Sequence, residues 1–280
     1  MKQMATAILT VACIVTLGQA ANAADVARPI YKVASTPVAN WTGFYAGFHA
    51  GWGQTSGDPA AASVSTTGYA SPVFETPNLD LKSNGPLFGG QLGFNWQINP
   101  RWVIGIEGDI TGTGLKSSAT AAPTCVTPFC GFVVPVYGAS QYMAQDINWL
   151  ASLRARLGYS WGASMVYVTG GAAWANINYR ADSADAVFVC NGGGGGGQGC
   201  SYPASFDSTK TGWALGAGYE AMITTNWSFR AEYLFYRFGG TTASAAGTPA
   251  AACAVASCSA TYIFPDTDIH TARVGVNYKF

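Results

Sequence analysis

Eight stretches between Trp41 and Phe280 alternate between apolar or aromatic residues on one parity and glycine or polar residues on the other. That is the period of a β-strand whose two faces meet different surroundings. In the last stretch Ala272, Val274, Val276, Tyr278 and Phe280 share one face, and Thr271, Arg273, Gly275, Asn277 and Lys279 the other. The seventh opposes Trp227, Phe229, Ala231, Tyr233 and Phe235 to Ser228, Arg230 and Glu232. The sixth sets Trp213, Leu215, Ala217 and Tyr219 against Glu220 and small residues, and the fourth sets Trp149, Leu153, Leu157 and Tyr159 against Ser152, Arg154 and Arg156. The third, second and first follow suit, with Ile104 and Ile106 opposite Glu107 and Asp109, Phe88 and Phe94 opposite Gln91, and Phe44 and Phe48 opposite Tyr45 and His49. The fifth, Met165 to Asn176, is less regular, and the reading places Val166, Val168, Ala172 and Trp174 outward. Past the N-terminus no run reaches the roughly 18 apolar residues of a spanning helix. The chain is confined to β architecture.

Connections then set the topology. Strands 2 and 3 join around Asn99-Pro100-Arg101, 4 and 5 around Ser160 to Ala163, and 6 and 7 around Thr224 to Asn226. The other four connections run to about 25–30 residues rich in Ala, Ser, Gly and Pro. Structureless loops of that length are foreign to a compact soluble domain. Short turns at one end and long loops at the other are the habit of outer-membrane barrels. The expectation is an all-β fold: one eight-stranded, antiparallel, up-and-down transmembrane β-barrel over residues 41–280.

A soluble lipocalin-like barrel, apolar inside, is the competitor, and charge placement separates the two. Only 10% of the 280 residues are charged, against roughly 25% in soluble domains. Glu107, Asp109, Glu220 and Glu232 share a parity with Arg154, Arg156, Arg230 and Arg273, while the opposite parity is almost bare of charge. A polar interior wrapped in lipid fits this. Tryptophans agree: Trp41, Trp96, Trp102, Trp161 and Trp227 fall at the short-turn end and Trp52, Trp149, Trp174 and Trp213 near the long-loop end, as two headgroup-level bands would require. A formal net charge of zero without a basic cluster excludes nucleic acid as a partner.

The N-terminus supplies an address. Lys2, an apolar stretch from Ala5 to Leu17 and Ala21-Asn22-Ala23 form a signal peptide over 1–23, to be cleaved before Ala24. Residues 24–40, with Pro29 and Pro37, read as a mobile periplasmic tail.

Several stretches resemble the opacity-type outer-membrane β-barrel family, which includes the outer-membrane immunogenic proteins and is similar in fold to OmpA-like transmembrane barrels. They are Trp41-Thr42-Gly43-Phe44-Tyr45-Ala46-Gly47, the run from Ser152 to Tyr159, Thr169-Gly170-Gly171-Ala172-Ala173 and the ending from Thr271 to Phe280. The resemblance implies that Tyr278 and Phe280 form the terminal aromatic signal read by the outer-membrane assembly machinery. It carries no shared catalytic motif.

Six cysteines outlast the signal in three local pairs, Cys125 with Cys130, Cys190 with Cys200 and Cys253 with Cys258, each within one long loop. In an oxidising compartment they are expected to form three disulfides. Zinc is the alternative, but His49 and His270 are remote in sequence and no Cys-x-x-Cys occurs, so no metal or cofactor is expected. The inward charges are expected to pair, Glu107 and Asp109 with Arg154 and Arg156, and Glu220 with Arg230. They would then plug a barrel just wide enough to be filled by side chains. A passive small-solute channel is the alternative, and the loops are a place for an extracellular ligand or host component. For catalysis only His270, near Asp268, stands at the outer rim; with no nucleophile motif beside it, it reads as an interfacial polar residue. His49 reads as a hydrogen-bonded interior residue, and the Gly192 to Gly197 run as loop. The expected role is structural and surface-exposed, not enzymatic.

Overall fold

The computed structural model describes residues 39–65, 74–125, 140–185, 200–247 and 259–280. The expected signal peptide, the tail up to residue 38, Cys130, Cys190, Cys253, Cys258 and the 192–197 glycine run lie outside them. Fourteen strands follow: β1 (Gly43–Ser56), β2 (Ala60–Ser65), β3 (Phe74–Leu79), β4 (Asn84–Gln97), β5 (Trp102–Ala121), β6 (Thr124–Cys125), β7 (Ser140–Trp161), β8 (Ser164–Asp185), β9 (Cys200–Ser201), β10 (Ala204–Met222), β11 (Trp227–Phe238), β12 (Thr241–Ala246), β13 (Ser259–Phe264) and β14 (Thr267–Lys279). Eight of them, in the order β1-β4-β5-β7-β8-β10-β11-β14, close into an antiparallel barrel. Closure is made by β14 returning to β1, from Tyr45 opposite Lys279 to Ser56 opposite Asp268.

Local chemistry explains the short turns. Gly162 takes φ +65, the left-handed conformation that a two-residue hairpin favours, and links β7 to β8. Between β4 and β5 the Asn99 Oδ1 accepts from the backbone N–H groups of Arg101 and Trp102, both at 2.9 Å. Thr224 Oγ1 does the same between β10 and β11 for Trp227 N, at 3.0 Å. Both are side-chain mimics of a turn hydrogen bond.

The barrel wall has the two faces that the alternation requires. Outside, Phe48 is 66% exposed, Leu92 67% and Val168 55%. Inside, large side chains lie over glycines of the next strand: a Cβ at Gly93 would collide with the Tyr45 ring, and one at Gly218 with Tyr167. On β11 the outward apolar run from Trp227 to Phe235 matches the roughly 9–11 residues that a tilted strand needs to cross hydrocarbon.

The long connections depart from the expectation. Rather than structureless loops, they contribute a second, five-stranded sheet, β12-β13-β2-β3-β6. Opposite it stand the ends of β5, β7, β8 and β10, prolonged past the barrel. Ala60, Ala62 and Val64 of β2 and Ala260, Tyr262 and Phe264 of β13 join Leu115, Met143, Ile147, Ile177 and Tyr179 in one buried core. Tyr179 packs on Phe264 at 4.6 Å and on Phe206 at 5.1 Å between ring centres. The long-loop end is thus a two-layer head with its own core.

Strands that run through both parts reverse polarity on the way. On β10 the outward residues are Tyr219, Ala217, Leu215 and Trp213, then Thr211, Thr209, Asp207 and Ser205. On β8 they are Val166, Val168 and Trp174, then Asn176, Asn178 and Arg180. The change falls just past a tryptophan on both.

Trp41 corrects the banding read from sequence. It is 2% exposed and lies inside the short-turn end against Val103, Met165 and Tyr167, with its backbone N–H on Gln97 Oε1 at 3.0 Å. It sits inward because it continues the odd parity on which Tyr45 and His49 of β1 face the lumen. The indole caps the lumen.

Candidate functional site

The charged residues singled out by parity all face the lumen. Register sets their heights: Glu107 on β5 stands opposite Arg154 on β7, Asp109 opposite Ser152, and Glu232 on β11 opposite Arg273 on β14. Arg154 Nη2 donates to Glu107 Oε1 at 2.6 Å and to Asp109 Oδ2 at 2.9 Å, and its Nη1 to Glu232 Oε1 at 3.2 Å. Arg273 joins Asp109 at 3.2 Å and Glu232 at 2.8 Å. Arg230 reaches Glu107 at 2.5 Å and Glu232 at 3.2 Å. Because β11 and β5 stand four places apart in an eight-strand ring, the Arg230 to Glu107 bridge crosses the full diameter. Three arginines and three carboxylates close into one neutral knot.

Two of the expected pairings come out differently. Arg156 does not go to Glu107 or Asp109; it bridges Glu220 past the intervening β8 and lies over the Tyr167 ring at 3.6 Å. Glu220 does lie opposite Arg230 in the β10–β11 ladder, but its carboxylate accepts from Arg156, Ser228 (2.5 Å) and Asn277 (2.8 Å). The long Arg156 side chain reaches over β8 to Glu220, while Arg154 and Arg230 already hold Glu107. Tyr45 couples the two groups, its hydroxyl donating to Glu107 Oε2 at 2.7 Å and accepting from Arg156 Nη1 at 3.4 Å. Parity located these residues; nothing in the sequence gave their heights.

His49 sits above the knot with ring nitrogens on Gln91 Oε1 (2.6 Å) and Thr111 Oγ1 (2.8 Å), and is 2% exposed. His270 faces outward, one rung from Asp268, which is paired with Arg237 at 2.5 Å. Its partners are Tyr233 and Ser56, neither of which sequence reading had connected to it. Of the cysteines, Cys125 lies in β6 opposite Phe74 and Cys200 in β9 opposite Asp185. Tyr278 and Phe280 point outward, with ring centres 5.3 Å apart. Among the described residues no group of three or more His, Cys, Asp or Glu could hold a metal ion.

An exterior of exposed aromatic and aliphatic residues around a neutral, buried charge knot is the arrangement of a barrel in lipid. The family model of the outer membrane protein beta-barrel domain matches residues 9–280. The chain belongs to that family. This outer-membrane β-barrel protein is 28% identical over 245 residues to the 31 kDa outer-membrane immunogenic protein of Brucella melitensis, covering 86% of this chain and 84% of the relative. It is 25% identical over 284 residues to the 25 kDa outer-membrane immunogenic protein of Brucella abortus, along the whole of both chains. Among solved structures it is similar to the outer membrane protein OprG from Pseudomonas aeruginosa, with a TM-score of 0.40 and 13% identity, covering 85% of this chain and 96% of that one. The protein resides in the cell outer membrane.

Proposed function

We propose that this outer-membrane protein is a sealed structural barrel that stabilises the envelope and displays its head at the cell surface. The observation that carries this reading is the lumen: Arg154 is 0% exposed and Arg230 1%, every charge of the knot is paired, and the Arg230–Glu107 bridge crosses the full diameter. A filled, self-neutral interior has no open path to conduct along. Trp41 below and the head core above support the same conclusion from each end. Lumen and head are structural here, not catalytic. The immunogenic names of the relatives fit a surface-exposed role, and the outward Tyr278 and Phe280 fit recognition by the assembly machinery. Three intraloop disulfides, Cys125–Cys130, Cys190–Cys200 and Cys253–Cys258, belong to this reading as staples of the surface. Purified protein in planar bilayers is expected to show no open-channel steps; reproducible steps would overturn the seal. Peptide mapping with and without reductant tests the staples, and free thiols in protein taken from native membranes would remove them.

A further inference from the structure

We infer that the outer rim carries a serine–histidine site for ester-linked acyl lipid, with Ser56 as nucleophile and His270 as base. His270 Nε2 lies 3.0 Å from Ser56 Oγ, and Nδ1 lies 2.6 Å from the Tyr233 hydroxyl. With Ser56 donating to Nε2, the ring proton sits on Nδ1 and is donated to the Tyr233 oxygen. A nucleophile, a base and an orienting group are therefore in line. They come from β1, β14 and β11, and the serine and histidine are 214 residues apart. That separation hid the site from motif reading.

Position supplies the substrate class. All three side chains lie on the outward face: β1 alternates outward through Trp52, Gln54 and Ser56, and β14 through Asp268, His270 and Ala272. Trp52 stands opposite Ala272, one rung toward the membrane, and the Asp268–Arg237 pair one rung toward water. His270 packs against Phe235 at 5.1 Å between ring centres, and Phe235 against the belt residue Trp213 at 5.3 Å. The array thus spans from the aromatic rung, where Tyr233 lies opposite Ala272, to the first charged rung, where Ser56 lies opposite Asp268, the depth of lipid acyl-ester carbonyls. Gln54, exposed and directly opposite His270, brings an amide donor to the same place for an oxyanion.

The chemistry is a two-step hydrolysis. Ser56 Oγ bonds to the acyl carbonyl carbon while its proton passes to His270 Nε2. The ester C–O bond breaks, and the departing alcohol takes that proton. Water then attacks the acyl-serine, gives its proton to His270, and Ser56 Oγ recovers it as the fatty acid leaves. Tyr233 acts through His270 as a positioning residue.

The test uses full-length protein purified in detergent, with heat-modifiable migration confirming the fold of each variant. A fluorophosphonate probe is expected to label Ser56, identified by mass spectrometry, and to fail on S56A. The p-nitrophenyl ester of dodecanoic acid should be cleaved, with H270A slowing it roughly 10²–10⁴-fold and Y233F lowering kcat while KM holds. Fatty acid released from phosphatidylethanolamine vesicles identifies a glycerophospholipid substrate, and release from purified lipopolysaccharide identifies lipid A. Equal labelling of folded S56A, or no fatty acid from any of the three substrates, overturns the proposal. Neither result bears on conductance, so the sealed-barrel reading stands or falls separately.

Discussion

The barrel and the head are built partly from the same strands, yet each is the other turned inside out. Along β10, Trp213 to Tyr219 put apolar side chains outward around a lumen that holds Glu220, while Ser205 to Thr211 put polar ones outward over the head core. The backbone continues unbroken. What changes is the solvent: lipid outside the lower part demands an apolar exterior, and water outside the upper part demands the reverse. A strand's alternation shows that its two faces differ, and only its position along the membrane normal says which is which.

The comparison can be broken at three depths. Arg154→Ala should have the largest effect, because it strips a shared donor from Glu107, Asp109 and Glu232 and leaves buried carboxylates short of charge. A loss of about 3–5 kcal/mol is expected in denaturant unfolding from detergent, and an unchanged midpoint would mean that water fills the lumen. Next come Val168→Arg and Asn178→Arg, on the same outward face of β8 but on opposite sides of Trp174. The first should cost about 2–4 kcal/mol, the second within about 0.5 kcal/mol, and equal costs would misplace the membrane boundary. A third effect belongs to the head alone. Burial pushes the Tyr262 phenol up to about 12, so its stabilising contribution is complete below pH 10 and lost as pH rises from 10 to 12. At pH 11 the head should be weakened by on the order of 1 kcal/mol. Protection of the β13 amides relative to their intrinsic base-catalysed exchange rate should fall there and be restored in Tyr262→Phe; protection unchanged between pH 9 and 11 would deny the head a dry core.

Legibility followed the same division. Barrel strands were readable because lipid on one side and a crowded lumen on the other enforce strong contrast at every second residue, as from Ala272 to Phe280. The head sheet was not, because β2 buries only Ala60, Ala62 and Val64 among serines and alanines, and such weak strands form through the packing of Tyr262, Phe264 and Tyr179 rather than through their own propensity. The membership of the lumen knot followed from parity, while its wiring depended on the stagger between strands. Trp41 was misplaced because residue type suggested a belt where position made a cap. The Ser56–His270 contact lay beyond any local signal, since it exists only once β1 and β14 have met.

That meeting also governs how the protein is made. The seam that closes the cylinder joins the first described strand to the last, Tyr45 beside Lys279, so no intermediate length of chain can bury its edges or complete the charge knot, to which β14 contributes Arg273. Until β14 is delivered, the polypeptide is a set of unpaired ribbons with aromatic flanks, soluble in neither water nor lipid. The exposed edges of the earlier strands therefore stay unpaired until β14 arrives. A truncation that removes only β14 should be cleared by envelope proteases rather than accumulate as a smaller barrel.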